Sequence, residues 1–273
     1  QPTLVGKNSM RSNTTFPNRT GLAPHPKILG VRVDPITVEE LNQYIASVVT
    51  QNEKALVLNV NVHCLNLAQE ISWLTTFLNS AEIVFCDGAG VRLGARLLGY
   101  DLPERITYAE WMWQLAAYAE KEHISFFFLG GRPGTPEKAA IKLVERFPNL
   151  MIKGCHHGYF NKTKESPENI AVVELINSSR ADILVTGFGM PIQERWLMEN
   201  WDQINANVAL TGGAVFDYVS GDLRRAPSWM TGNGLEWLGR LLIEPHRLWK
   251  RYLLGNPLFL LRIIRQRIMS GVK

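Results

Sequence analysis

The feature that most constrains this chain is a repeated alternation. Short, nearly continuous apolar runs are separated by segments whose apolar residues recur at helical spacing. The runs read as strands at Ile28–Val33, Ala55–Asn59, Ile83–Cys86, Ser125–Leu129, Met151–Lys153, Ile183–Thr186 and Val208–Thr211. Between them the spacing predicts helices over Thr37–Val49, Cys64–Leu78, Ala89–Leu98, Tyr108–Lys121, Thr135–Phe147 and Pro167–Asn177. A strand with one wet face alternates polar and apolar residues, whereas continuous apolar runs belong to strands covered on both faces. The expectation is an α/β fold: a Rossmann-like, mostly parallel sheet with helices on both faces.

The pattern stops near Thr231–Gly234. Beyond it the chain is dense in Leu, Ile, Trp, Arg and Lys and is broken at Pro245 and Pro257, which reads as two or three short helices. The expected organisation is a polar leader (1–26), an α/β domain (27–234) and a small basic helical appendage (235–273). With 273 residues, 46% hydrophobic and 20% charged, there is enough apolar material for a real core, and a disordered or fibrous chain is excluded.

Charge sharpens this division. The net charge is only +4, yet residues 236–273 carry eight bases against Glu236 and Glu244, a net of +6. The first 30 residues hold four bases and no acid, so residues 31–235 sum to −6. An acidic body without a helix-turn-helix, RRM or OB pattern argues against nucleic acid. Cys64, Cys86 and Cys155 are odd in number and lack CxxC spacing, which fits a reduced, cytoplasmic interior. No apolar run approaches the roughly 18 residues of a membrane span, and the leader lacks a signal-peptide core.

Four predicted strands run into glycine: at Gly88 and Gly90, at Gly130–Gly131 and Gly134, at Gly187 and Gly189, and at Gly212–Gly213. Ligands of open α/β sheets bind outside the carboxyl ends of the strands, and such turns let backbone N–H groups approach a phosphate. Several turns on one edge therefore predict a nucleotide or diphosphate crevice. The GxSxG elbow, HExxH, the Walker loop, zinc-like Cys/His spacing and Asp-x-Asp are all absent. No metal and no cofactor is expected. His156–His157 reads as a structural loop.

Asp87 ends a strand, where its carboxylate either projects into the crevice or caps the next helix; both readings stay open. The same holds for Asn59, Asn61 and His63 at the neighbouring strand end, and for Arg105 beyond the Asp87 helix. Gln193 and Glu194 open a helix after a Gly turn, where a Gln is suited to amide recognition and a Glu to the helix dipole. In the appendage Arg240, Arg247 and Lys250 or Arg251 recur on one helical face among Leu, Trp and Tyr. That stripe suits an anionic lipid surface and the closing of a crevice over diphosphate.

Together these motifs resemble the WecG/TagA/CpsF glycosyltransferase family (glycosyltransferase family 26). The match runs from about Ile28 to Phe259. It rests on Asn61, Asp87-Gly88-Ala89-Gly90-Val91, Pro103-Glu104-Arg105, Gly130-Gly131-Arg132-Pro133-Gly134, His157-Gly158-Tyr159-Phe160 and Gly187-Phe188-Gly189-Met190-Pro191-Ile192-Gln193-Glu194. Further on it rests on Gly212-Gly213-Ala214-Val215-Phe216-Asp217, Gly221, Arg225-Ala226-Pro227 and the stretch from Leu235 through Arg240, Glu244-Pro245, Arg247 and Arg251-Tyr252. Asn59 stands where the family usually has Thr, and Gly239 where it often has Tyr.

The resemblance implies an inverting enzyme of bacterial surface-polymer synthesis. It would move an N-acetylmannosamine-, mannosaminuronate- or hexose-type sugar from a UDP-sugar to a polyprenyl-diphosphate-linked acceptor. Asp87 is its implied general base. Asn61, Arg105 and Gln193 are implied to line the pocket, with Arg240, Arg247 and Lys250 on substrate or leaving-group diphosphate. Asn59, Glu194 and the turn glycines Gly130, Gly131, Gly187, Gly212 and Gly213 complete the expected substrate-binding set. The expected place is the inner face of the cell membrane, peripherally bound to an anionic surface, with the oligomeric state open. The competing readings are a non-catalytic sugar-nucleotide or lipid-diphosphate binding module and a nicotinamide-dependent dehydrogenase. The second is disfavoured because the first βα turn has no GxGxxG.

Overall fold

A computed structural model describes residues 25–232 and 234–271. In chain order its strands are β1 (Lys27–Ile28), β2 (Val31–Arg32), β3 (Ala55–Val60), β4 (Ile83–Cys86), β5 (Ser125–Gly130), β6 (Met151–His156), β7 (Ile183–Gly187) and β8 (Val208–Thr211). The helices of the body are α1 (Val38–Thr50), α2 (Val62–Glu70), α3 (Ser72–Ser80), α4 (Ala89–Leu97), α5 (Tyr108–Glu122), α6 (Thr135–Arg146), α7 (Pro167–Ser179), α8 (Ile192–Asn200) and α9 (Val215–Ser220). The remainder holds α10 (Ser228–Gly232), α11 (Glu236–Ile243), α12 (Pro245–Trp249), a π-helical turn (Lys250–Leu254) and α13 (Gly255–Met269).

Strands β3 to β8 form one six-stranded sheet in the order β4-β3-β8-β7-β5-β6, and every pairing is parallel. Successive side chains of a strand point to opposite faces. Val57, Phe85, Phe126, Phe128, Val185 and Leu210 join a buried cluster with α1, α5, α6 and α9. Leu58, Val84, Phe127, Leu129, Leu184 and Ala209 join the other, with α2, α3, α4, α7 and α8. This two-sided burial is why the runs are continuously apolar.

Three sequence expectations are corrected. Ile28–Val33 is not one strand but the antiparallel pair β1–β2 outside the main sheet, because Leu29 and Gly30 take φ of 50° and 76° and reverse the chain. Cys64–Leu78 is not one helix: Ile71, at φ −119° and ψ 97°, separates α2 from α3. Pro257 does not break the last helix: α13 runs past it from Gly255 to Met269, directly after the π-helical turn.

The leader expected over residues 1–26 lies almost wholly outside the described residues. Within the segment expected as an appendage, Phe259 and Ile263 of α13 are 1% and 0% exposed and belong to the same buried cluster as α2 and α4. A Cβ on Gly94 of α4 would fall 2.7 Å from the Phe259 ring, so the glycine makes room for that helix. Gly239 of α11 does the same toward Ala226, where a Cβ would come within 2.4 Å.

Candidate functional site

β3 leads to α2 on one face of the sheet, while its neighbour β8 leads to α9 on the other. Their carboxyl ends leave a crevice, the usual ligand position in an open α/β sheet. β3 and β4 pair Val60 with Cys86, which brings Asn59, Asn61 and Asp87 together at this edge. Gly88, at φ 110° with open space where a Cβ would stand, turns the chain from Asp87 into α4.

Asp87 is held from behind. Asn59 is 3% exposed; its Nδ2 donates to Asp87 Oδ2 at 2.9 Å, and its Oδ1 accepts from Thr211 Oγ1 at 2.9 Å. The threonine donor fixes which way the amide faces, so that its NH₂ group meets the carboxylate. Burial, followed by the nearby Glu236, pushes Asp87 up to about 6, opposed by the Asn59 hydrogen bond, Arg251 and Arg240. A carboxylate so placed takes a proton near neutral pH better than an ordinary one. Asn61 fulfils the capping role at α2, accepting from Cys64 N at 3.0 Å, and it also lines the cavity. His63 lines it too, lowered to about 4 by burial and then by Arg251, so its ring is neutral at neutral pH.

At three of the four glycine turns, N–H groups behave otherwise than the phosphate reading expects. Gly131 N donates to Gly187 O at 3.0 Å and Gly212 N to Thr186 O at 2.7 Å. Gly189 N and Gly213 N both donate to Gln193 Oε1, at 3.2 and 3.1 Å. These four N–H groups are therefore spent inside the fold. Gln193 Nε2 donates to Glu194 Oε1 at 2.9 Å; both residues are 0% exposed, and burial lifts Glu194 to about 7. Gln193 thus ties two turns together from beneath. Gly130, Gly131 and Gly187 also stay out of the cavity lining, and a Cβ on Gly130 would fall 2.5 Å from Gly187 O. Gly212 and Gly213 do line it.

The cations come from Arg105 and the C-terminal helices. Arg105 Nη1 lies 3.5 Å from Glu236 Oε2 and donates to Thr231 O at 3.3 Å. The Arg240 guanidinium stands 5.5 Å from the Tyr218 ring and 3.9 Å from Glu244, which also holds Arg247 at 2.6 Å. Nε of Arg240 and of Arg251 is buried without a hydrogen-bond partner among the described residues. Lys250 is exposed, 5.5 Å from the Trp249 ring.

These groups enclose a cavity with two lobes that share Asn61, His63, Asp87, Thr107, Glu236, Arg240 and Arg251. One lobe, of about 520 Å³, is walled by Val62, Leu93, Trp237, Tyr252, Phe259 and Leu260. The other, of about 690 Å³, runs over Gly189, Gly212 and Gly213 to Tyr218, Arg247 and Lys250. Of the expected set, Asp87, Asn59, Asn61, Arg105, Gly212, Gly213, Arg240, Arg247 and Lys250 thus meet at one cavity, and Gln193, Glu194, Gly130, Gly131 and Gly187 support it from below. Glu236 and Thr107 were missed. Arg251 was visible as an alternative to Lys250, and the π-helical turn brings it rather than its neighbour beside Asp87. No group of three His, Cys, Asp or Glu residues that could hold a metal occurs among the described residues. The arrangement offers one carboxylate of raised proton affinity facing a space lined with guanidinium groups.

The model of the Glycosyl transferase WecG/TagA/CpsF family matches residues 26–272. Among curated proteins, the N-acetylglucosaminyldiphosphoundecaprenol N-acetyl-beta-D-mannosaminyltransferase of Staphylococcus aureus strain NCTC 8325 / PS 47 is 29% identical over 246 residues. That match covers 88% of this chain and 92% of the relative. The protein of the same name from strain MW2 matches with the same identity and coverage.

Proposed function

The chain belongs to the WecG/TagA/CpsF family of glycosyl transferases and is a glycosyltransferase, and from that premise we propose that it moves an N-acetylmannosamine-type sugar from a UDP-sugar to a polyprenyl-diphosphate-linked N-acetylglucosamine. The observation that carries this reading is Asp87, raised toward neutrality and facing a cavity flanked by Arg240 and Arg251. In the transfer the acceptor hydroxyl oxygen attacks the anomeric carbon and gives its proton to Asp87. The bond from that carbon to the UDP oxygen breaks, and UDP leaves with the electron pair on the face opposite the new bond. Glycosidases need a second carboxyl group to protonate a poor leaving group. UDP leaves as an anion, so one base and several cations suffice. With the N–H groups of Gly131, Gly189, Gly212 and Gly213 already bonded, Arg240, Arg251, Arg247 and Lys250 carry the charge of the departing diphosphate, with no metal ion.

No helix among the described residues is long and apolar enough to cross a membrane. Contact with a lipid surface is supported by Leu242, Leu254, Leu261, Ile264 and Ile268, which are 49–76% exposed on the same C-terminal helices that carry the excess positive charge. Such a face binds lipid through its apolar side chains and anionic headgroups through its cations.

The decisive experiment incubates the protein with a panel of UDP-sugars, with and without an N-acetylglucosamine diphosphate lipid analogue, and follows UDP release and product mass. Acceptor-dependent UDP release, unaffected by EDTA, with an inverted anomeric centre in the product is expected. Tight binding of both compounds without turnover would replace the enzyme by a binding module, and retention of configuration would remove the single-base mechanism.

A further inference from the structure

Glu236 is a second carboxylate at the junction of the lobes. It opens α11 and, like Asp87, lines both of them. After burial it is the strongest influence raising Asp87, so the two anions stand close together. The proposed transfer uses one base, and Glu236 has no proton to move in it.

Its partners point to another role. Glu236 Oε2 lies 3.5 Å from Arg105 Nη1, and Oε1 lies 3.8 Å from Arg225 Nε. Both separations are ion pairs, and both exceed the roughly 2.7–2.9 Å of a charge-assisted hydrogen bond. The two arginines differ in what else holds them. Arg225 Nη1 is bonded at 2.9 Å to Glu110 of α5, which does not line the cavity. Arg105 lines the smaller lobe, and its hydrogen bonding among the described residues uses Nη1 alone, to Thr231 O at 3.3 Å. Arg105 is therefore a cavity cation held by one long ion pair and one carbonyl. A guanidinium takes a phosphate through two parallel N–H groups, and a diphosphate brings more negative charge than one carboxylate. A diphosphate beside Asp87 thus competes with Glu236 for Arg105 on favourable terms.

We propose that Glu236 is the exchangeable counter-ion of Arg105, a positioning residue that holds this guanidinium at the junction of the lobes until a substrate diphosphate takes its place. This rests on the glycosyltransferase reading above and goes beyond it by making diphosphate binding an exchange of anions. Affinity is then lowered by the strength of the pair that must break, and the returning carboxylate favours product release.

The test measures Kd by calorimetry for two probes, UDP and the N-acetylglucosamine diphosphate ester of methanol, which tell a donor-side from an acceptor-side diphosphate. Glu236→Gln is expected to tighten at least one of them about fivefold, the worth of a partly buried ion pair. Glu236→Asp, which keeps the charge, should stay near wild type. The sign separates this role from a structural one, since a residue that merely fastens α11 loses affinity when replaced. With Arg105→Ala already in place, Glu236→Gln should change neither affinity. Weaker or unchanged binding of both probes by Glu236→Gln overturns the inference. So does equal tightening without Arg105, which would reduce the effect to repulsion between carboxylate and phosphate. Arginine ¹⁵N NMR of the wild type gives an answer that needs no stable Glu236 variant. The Arg105 signal, assigned by its loss in Arg105→Ala, should move when a probe is added, and an unmoved signal overturns the exchange. These outcomes leave the transferase reading intact; a wild type that binds neither probe would overturn both.

Discussion

The sheet edge and the C-terminal helices meet at Asp87, and they satisfy their polar groups to different degrees. At the sheet edge Gln193 takes Gly189 N and Gly213 N, and Asn59 accepts from Thr211 and donates to Asp87, while Glu194 Oε2 beneath them is buried without a partner among the described residues. In the C-terminal helices Arg240 and Arg251 keep buried Nε atoms without partners, and leucines and isoleucines remain exposed. A half whose polar groups are mostly bonded is the more rigid and contributes position. A half with unspent donors and apolar surface has its complement in something outside the chain. On the proposed reading the glycine-rich edge, which by pattern alone looks like the phosphate site, is the platform, and the charge work falls to the C-terminal helices.

Replacing the proposed base tests the platform most severely. Asp87→Asn should lower kcat by about a thousandfold, in keeping with the loss of a general base. It should also raise stability at neutral pH. The folded protein holds this proton more tightly than the unfolded chain, so the carboxylate's contribution is fullest below 3.8 and is lost as pH rises through about 6. A neutral Asn escapes that loss, on the order of 1–3 kcal/mol, read as a higher melting temperature that converges with wild type in acid. A variant that is inactive and also less stable at neutral pH would contradict the assignment of a strained, poised carboxylate.

The closing half is tested at adjacent residues. Arg251→Ala should reduce kcat/KM by roughly a hundredfold, and Lys cannot restore it fully because the planar fork is lost. Lys250→Ala should cost only a fewfold, since that side chain is exposed. Equal effects at the two positions would remove the role given to the π-helical turn.

Gly94→Val attacks the seam between the halves. Its side chain would meet the Phe259 ring, and overpacking of this kind costs about 1–3 kcal/mol. Hydrogen exchange should quicken in α13 while β3 and β8 keep their protection. Uniform loss of protection would mean that the two halves are one cooperative unit.

The smallest effect is expected at Asn59→Leu. Losing a hydrogen bond to the carboxylate moves Asp87 further upward, so the acid limb of the kcat/KM profile shifts to higher pH and the rate recovers in alkali. Asn59→Thr, whose hydroxyl can donate, should move the limb less. A rate lowered equally at every pH would leave Asn59 a packing residue only.

Much of this architecture was legible because burial on both faces of a parallel sheet writes itself as runs of Val, Ile, Leu and Phe. β3, β4, β5, β7 and β8 were readable in that way, as was the crevice at their glycine ends. What failed did so for local or distant reasons. Leu29–Gly30 reversed a run that looked like a strand, Ile71 broke a helix whose periodicity continued, and α9 escaped notice at six residues.

In the site, residue type and position identified Asp87, Asn61, Arg105 and Arg240, since strand ends and a basic helical stripe are one-dimensional signals. Their division of labour is not. Whether Gln193 faces a ligand or two backbone N–H groups depends on how close the turn at Gly213 comes, and that is set by the pairing of β7 with β8. Whether Arg251 or Lys250 faces Asp87 depends on one π-helical turn, and the smaller lobe exists only because α13 packs across α4 at Gly94. The sequence by itself determined an α/β sheet with a carboxylate at its edge and a basic tail. Tertiary structure alone decided which polar groups were spent on the fold and which were left for a substrate, because that depends on contacts between residues far apart in the chain.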